Sequence, residues 1–456
     1  MTALFHTARS APARASSPAS SPSPLLLARS HIAMVLGLLG GLALVFWLEG
    51  IDLSPRPAAD AMAPFQAEAP LPLARPRALT ASEQAAAAIA WRYFQNNISP
   101  QTGLVASVDG YPSTTMWETG GLLDAILSAE RLGLIGPDEA EARLTLALDS
   151  LLHLPLTEAG LPNKAYDIRD LAMVTYKNEP SKAGIGWSAL DLGRLMAALT
   201  AVRAAHPDLA GPVQALIGRW DLAQLLVAGE LTGGTISQTG TIAYQEGRIG
   251  YEQYAAKAML GFALDATAAL DVTGQLVPRQ AQGIAVPGDS RLNKNQVPAL
   301  VTSEPYLLDG LEFGFDARSH LLASQLYRAQ ERRFAETGIP TAVSEGHITE
   351  APYFAYATVW GGGQDWAVLT LDGTRMDSRR TLSTKAAFGW DALFDTAYTA
   401  RLVDEVAALN DPARGWMEGR YEADGTPNSA ITANTNAMVL TALAYRVAGP
   451  LTRMEK

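Results

Sequence analysis

The chain has 456 residues, 48% of them apolar, a formal net charge of −11 and no cysteine. Length alone allows two to three domains with a sizeable core. The missing cysteines exclude disulfides and Cys-ligated zinc or iron–sulfur sites, and an acidic chain with no basic run longer than two residues excludes a nucleic-acid footprint.

Residues 1–30 are rich in Ser, Pro and Ala without a single acid, and read as a disordered cytoplasmic tail. Residues 31–48 then carry no formal charge, which meets the minimum of about 18 residues for a spanning helix. Arg9, Arg14 and Arg29 precede this stretch, and Glu49, Asp52 and Asp60 follow it. The charge bias predicts a single-pass membrane anchor with the N-terminus in the cytoplasm and the rest of the chain outside. A cleaved signal peptide is the competing reading, but the nearest small-x-small site, Ala61-Met62-Ala63, lies far downstream. Residues 49–79 are rich in Pro and Ala and read as a semi-extended linker.

From residue 80 to 456 no second Pro/Ser-rich break occurs, so one folded domain is expected. Thr80 or Ser82 caps a first helix ending at the Ser99-Pro100 turn. Helical periodicity then returns over 121–134, 137–154, 189–206, 211–228, 254–269, 304–313, 317–336, 387–410 and 435–447. Short extended pieces at 240–244, 353–358 and 367–371 read as β-hairpins in loops. About a dozen helices suit six hairpin pairs closing into an all-α, (α/α)6 toroid. An open solenoid would need a tighter repeat of about 34 to 47 residues. In a toroid the inner helices run parallel, so their N-terminal turns share one face and offer free N–H groups there.

Six of those helix starts repeat one pattern, in which a Gly/Ser/Thr-rich turn carries an aromatic residue and an acid into an apolar run. The copies begin at Tyr111, Gly184, Gly247, Thr302, Phe388 and Thr426. Thr115-x-x-Glu118 and Ser188-x-x-Asp191 also fit capping boxes, and Ser303-Glu304-Pro305 an ordinary N-cap with an acid in the first turn. Glu252 completes no such box. It lies between Tyr251 and Tyr254, where desolvation would raise its pKa. Trp117, Trp187, Tyr251, Tyr306, Trp390 and Trp416 sit at or just before predicted helix starts, and a ring of such faces suits sugars. His153, His206, His320 and His347 show no zinc spacing, and neither a G-x-S-x-G elbow nor a phosphate loop is present, so neither metal nor cofactor is expected.

Three stretches now carry a resemblance. They are Gln101-Thr102-Gly103-Leu104-Val105 with Glu118-Thr119-Gly120-Gly121, Ser188-Ala189-Leu190-Asp191-Leu192-Gly193 continuing to Ala197-Ala198-Leu199, and Gly250-Tyr251-Glu252. Over roughly residues 85–445 the chain resembles a bacterial envelope family, the domain of unknown function numbered 3131, related to glucoamylase-like domains. The resemblance implies an α/α toroid and glucan hydrolysis or transglycosylation by an acid pair. It implies Glu252 as general acid and Asp191 as base or water-positioning partner. Trp117, Glu118, Trp187, Tyr251, Tyr254, Lys257, Glu304, Tyr306 and Trp390 are then expected to hold the sugar.

The leading expectation is therefore a membrane-anchored, periplasm-facing glycoside hydrolase or transglycosylase. Its partner is an oligo- or polysaccharide, a glucan or exopolysaccharide, together with the envelope polysaccharide machinery. The alternatives are a non-catalytic glycan-binding scaffold and a polysaccharide lyase, the latter drawing on Lys177, Lys182 and Arg194.

Overall fold

A computed structural model describes residues 61–452 and, before them, Met34 alone. The tail at 1–30, the expected anchor at 31–48 apart from Met34, and the start of the expected linker lie outside the described residues. Among the described residues no helix is long and apolar enough to cross a membrane.

Among residues 61–452, twelve α-helices follow one another in six pairs. The first members in chain order are α1 (Ala81–Asn97), α3 (Pro137–His153), α5 (Ala210–Gly218), α7 (Thr267–Leu270), α9 (Ala317–Thr337) and α11 (Ala397–Val406). Alternating with them are α2 (Met116–Arg131), α4 (Ala189–Ala205), α6 (Tyr251–Leu260), α8 (Glu304–Leu308), α10 (Thr384–Phe394) and α12 (Ala433–Ala448). The even helices touch in sequence, α2 to α4, α6, α8, α10 and α12, and α12 returns to α2, so they close a ring. The odd helices pack outside it, α1 on α12, α3 on α2, α5 on α4, α7 on α6, α9 on α8 and α11 on α10. This helix-rich ring is compatible with the expected α/α toroid.

Local chemistry sets the inner helix starts. Thr115, Ser188, Ser383 and Thr432 each accept a backbone N–H from the first turn of the helix that follows. Gly250 opens α6 at φ 101, a conformation that favours glycine, with Pro305 and Tyr306 against it. Close approach within the ring also depends on a missing side chain: a Cβ on Gly193 would lie 2.4 Å from the Ala255 Cβ.

Inside the ring, Arg194 ties four inner elements together. Its Nη1 donates to Asp124 Oδ2 of α2 at 2.6 Å, to Tyr254 Oη of α6 at 3.1 Å and to Glu312 Oε1 at 2.5 Å. Glu312 lies on a π-turn, Asp309–Phe313, that continues α8. Tyr254 Oη in turn donates to Glu312 Oε2 at 2.6 Å. All four side chains are buried. Burial pushes Glu312 well above the usual carboxylate range, so one guanidinium need balance only one full negative charge.

The loops hold more β structure than expected. An antiparallel hairpin joins Glu230–Ser237 to Gly240–Gln245, and another joins Leu276–Ala281 to Ile284–Asp289. Glu345–His347, Phe354–Ala357 and Val368–Leu369 form a three-stranded sheet. Gly415–Tyr421 pairs with Thr381–Ser383, Asn410–Asp411 and Pro427–Ile431. These strands are short and several carry glycines, so they give no sustained two-residue alternation in the sequence. The helix expected over 387–410 is broken at Asp395, which takes φ 51 and separates α10 from α11. Those expected over 211–228 and 254–269 end early, at Gly218 and Leu260.

The described part of the expected linker is held against the domain. Phe65 is fully buried and its carbonyl accepts from Gln325 of α9 at 2.7 Å. Further along, Ala74 N donates to Leu393 O of α10 and Arg77 N to Arg446 O of α12, both at 2.8 Å. Those carbonyls lie near the helix C-termini, so this segment crosses the end of the ring opposite the helix starts.

Replacing Arg194 by Met removes one partner of a buried ionic network and should cost about 3–5 kcal/mol in chemical unfolding. A loss below about 1 kcal/mol would show that the ring does not depend on it.

Candidate active site

The first turns of the six inner helices bring Glu118, Asp191, Glu252, Glu304, Lys385 and Asn434 to one end of the ring. Loops between the pairs add Glu246, Glu345 and Glu418. These three stand in the only Glu-Gly dipeptides of the folded domain, Glu246-Gly247, Glu345-Gly346 and Glu418-Gly419. At Gly346 a Cβ would lie 2.4 Å from Glu418 Oε2, so this glycine admits a carboxylate to the backbone.

Asp191 is half-buried at the start of α4, where its N–H donates to Ser188 Oγ at 3.1 Å. Burial, then Glu246 and Glu118, push its carboxyl up to about 8, with Ser188 and Lys164 opposing. At neutral pH it therefore holds a proton. Glu246 accepts the Ala189 N–H at 2.5 Å, the free amide of the same helix start. Burial raises its pKa, while Lys164, the Ala189 and Leu190 amides and Ser188 favour its charged form. Because the two carboxyls interact, their titration belongs to the pair.

On the other side of the ring Lys385 is fully buried among Glu304, Glu418 and Glu345. It pairs with Glu304 Oε2, whose Oε1 accepts from Asn434 Nδ2 at 2.8 Å and Trp117 Nε1 at 3.2 Å. Glu418 Oε1 accepts from Thr432 Oγ1 at 2.5 Å. Glu345 Oε2 accepts from Thr302 Oγ1 at 2.6 Å, and its Oε1 has no hydrogen-bond partner. Burial pushes Glu345 up to about 7 against the pull of Lys385. Burial first, then the neighbouring carboxyls Glu345, Asp191, Glu304 and Glu246, raise the pKa of the half-buried Tyr356 phenol and hold its proton on. The pKa of the Tyr176 phenol is raised by burial and then by Asp191 and Glu246, while 62% of the residue's surface stays exposed, so it lies near both acids at the solvent edge.

The expected residues divide. Trp117 and Tyr251 are half-buried and meet edge to face at 5.6 Å, near Glu304. Glu118, held by Thr115, lies near Asp191 and Glu304. The expected Glu252–Asp191 pair is redrawn: Glu252 binds Arg291 Nη2 at 2.5 Å and Gln245 Nε2 at 2.8 Å, and Asp191 meets Glu246 instead. Trp187 is buried, its indole N–H donating to Thr232 O at 3.0 Å and its ring over Gly234. Tyr254 belongs to the Arg194 network. Lys257 is spent on Asp309 and Asp316, both at 2.6 Å. Tyr306 is buried behind Gly250. Trp390 lies mid-helix in the core, stacked on Phe394 at 5.6 Å, because α10 starts at Thr384 and not after the tryptophan. Trp416 is buried too, donating to Ala86 O at 3.0 Å. Sequence reasoning missed Glu246, Glu345, Glu418, Lys385, Tyr176 and Tyr356, all but Lys385 in loops; the repeated Glu-Gly dipeptide was the available signal. Among the described residues no group of three or more His, Asp or Glu is placed to hold a metal ion.

The sequence model of the family described as "Protein of unknown function (DUF3131)" matches residues 85–449. No curated protein matches the sequence. Among solved structures, a glucoamylase candidate from Bacteroides fragilis NCTC 9343 superposes with a TM-score of 0.59 at 13% identity, over 83% of this chain and 94% of that one. An endo-β-1,2-glucanase from Chitinophaga pinensis, solved with sophorotriose and glucose, gives 0.55 at 12% identity over 82% and 94%. The endo-β-1,2-glucanase of Talaromyces funiculosus, solved with sophorose, gives 0.53 at 13% identity over 81% and 84%. At these identities the likeness establishes the fold.

The Asp191 carboxyl titrates above an unfolded aspartate, near 3.9. The folded state therefore binds the extra proton, and this group's contribution to stability falls as pH rises from about 4 to about 8. Asp191→Asn removes that cost and should raise Tm at pH 8 by about 2–4 °C, with little change at pH 4. A lower Tm at pH 8 would show that the carboxyl is ionised and paired.

Proposed function

We propose that this chain, which belongs to the DUF3131 family of proteins of unknown function, is a glycoside hydrolase or transglycosylase acting on a glucan. The reading is carried by two interacting carboxyls at the end of the ring where the helix starts converge: burial and Glu246 raise the Asp191 pKa to about 8, and Glu246 accepts the Ala189 N–H of the same helix start. Two solved proteins of the same fold are endo-β-1,2-glucanases, which makes β-1,2-glucan the first substrate to offer.

The Asp191–Glu246 pair gives its proton to the glycosidic oxygen as the C–O bond breaks and the bonding electrons leave with that oxygen. Glu345, whose Oε1 carries no hydrogen bond, takes a proton from water or from an acceptor sugar hydroxyl as it attacks the anomeric carbon. A donor and a base on opposite sides of the sugar favour inversion. Trp117, Tyr176 and Tyr251 offer flat faces to the rings, and Glu118 and Asn434 accept from and donate to hydroxyls. Glu252 acts as a positioning residue: its pairing with Gln245 and Arg291 fixes the loop that carries Glu246. Residues 31–48 anchor the domain on the periplasmic side of the inner membrane, beside the envelope polysaccharide machinery.

Asp191→Asn, Glu246→Gln and Glu345→Gln should each lower kcat on linear β-1,2-glucan by about 100-fold or more, the usual scale for removing an acid or base. Glu252→Gln should cost about 10-fold or less while lowering Tm. Cleavage surviving the first three changes, followed by mass spectrometry of the products, would contradict the assignment. Binding without turnover by the unaltered chain would instead favour the scaffold. The kcat/KM profile should rise through about 7 as Glu345 ionises and fall through about 8 as the donor pair loses its proton. A profile flat from pH 6 to 9 would remove these groups from the rate.

A further inference from the structure

Two lysines from distant loops converge on one phenol at the rim of the cleft. Lys164 Nζ donates to Tyr244 Oη at 3.1 Å and Lys294 Nζ to the same oxygen at 3.4 Å. Both ammonium groups lie over the ring, at 5.6 Å and 4.5 Å from its centroid. Tyr244 stands on the strand Gly240–Gln245, two residues before Glu246. Burial and Glu246 keep its proton on, so its O–H remains a donor.

Neither lysine has a carboxylate within ion-pair distance among the described residues, in a chain of net charge −11. Lys164 is only 8% exposed, and its one hydrogen bond leaves two N–H groups unused. A buried ammonium with a single neutral partner is costly. The field of Glu246 and Asp191 accounts for part of Lys164's placement. It does not account for Lys294, which is exposed and reaches the same phenol from the solvent side. Two cations drawn to one oxygen repel each other, and an anion between them turns that repulsion into attraction.

We infer that Lys164, Lys294 and Tyr244 form a subsite for an anionic substituent, a carboxylate or phosphate ester, borne by the glycan next to the bond that Asp191 and Glu246 act on. The inference rests on the glycan reading above and adds the class of substrate. Two ammonium donors and a phenol O–H match the several acceptor oxygens of either group. A neutral glucan would leave them facing water.

The test is calorimetric titration of the full chain with three probes, at 50 mM and 500 mM NaCl. The probes are a linear β-1,2-gluco-oligosaccharide, the same oligosaccharide carrying one succinyl half-ester, and inorganic phosphate. The succinylated chain should bind about 10-fold tighter than the neutral one at low salt, and most of that ratio should vanish at high salt. In Lys294→Met, an exposed substitution whose folding circular dichroism can confirm, the ratio should fall to about 2 or less. Equal affinity for the two oligosaccharides, or a ratio untouched by Lys294→Met, would overturn the subsite while leaving the glycan reading intact. Saturable binding of phosphate without preference for the substituted glycan would assign the pocket to a free anion and also overturn it. If neither oligosaccharide binds, the glycan reading falls and the subsite with it.

Discussion

One buried guanidinium holds the ring in register. Arg194 reaches across to Asp124, Tyr254 and Glu312, so the positions of α2, α4, α6 and the turn after α8 are fixed against one another by charge-assisted bonds. The ionic tie sets the level of each helix along the ring axis, and that level decides where its first turn ends up. The converging helix starts therefore depend on a contact one to two turns below them. Burial raises the Glu312 pKa, which lowers the cost of placing its carboxyl beside that of Asp124.

The same closure creates the chemistry at the open end. Helix starts supply amides and short polar caps, and the loops between pairs supply carboxyls in excess. With one fully buried lysine among three glutamates, and a half-buried aspartate beside a fourth, not every acid can be charged. Proton retention by Asp191 and Glu345 is thus a consequence of crowding and desolvation. Helix starts place Asp191, and the segments between the helix pairs place Glu246 and Glu345 around the same end of the ring.

What could be read from the sequence follows from that division. The helix starts at Thr80, Thr115 and Ser188 were legible because a cap and an apolar run are neighbours in sequence. The ring followed from the repeated helix starts, and the family from the resemblance of three short stretches. Glu252 looked free because its partner, Arg291, is 39 residues away and nothing local announces it. Trp390 was placed at a helix start because the sequence does not show that the helix begins at Thr384. Glu246, Glu345 and Glu418 sit in loops whose positions only the closed ring determines. Their shared Glu-Gly dipeptide gains meaning once a carboxylate is seen against Gly346. The strands at 240–245, 354–357 and 368–369 were legible as short extended pieces, whereas Glu230–Ser237, Leu276–Ala281, Ile284–Asp289 and Gly415–Tyr421 escaped because their glycines and prolines erase the alternation.

The most direct test of the central claim is a crystal structure of the Glu246→Gln variant with a linear β-1,2-gluco-oligosaccharide. The expected result is a chain lying over Trp117 and Tyr251, with one glycosidic oxygen within hydrogen-bond distance of Asp191 or of the substituted side chain beside it. A water or acceptor hydroxyl should lie on the opposite side of that sugar, within reach of Glu345. Sugar bound elsewhere on the ring, or bound in the cleft with no linkage near Asp191, would contradict it.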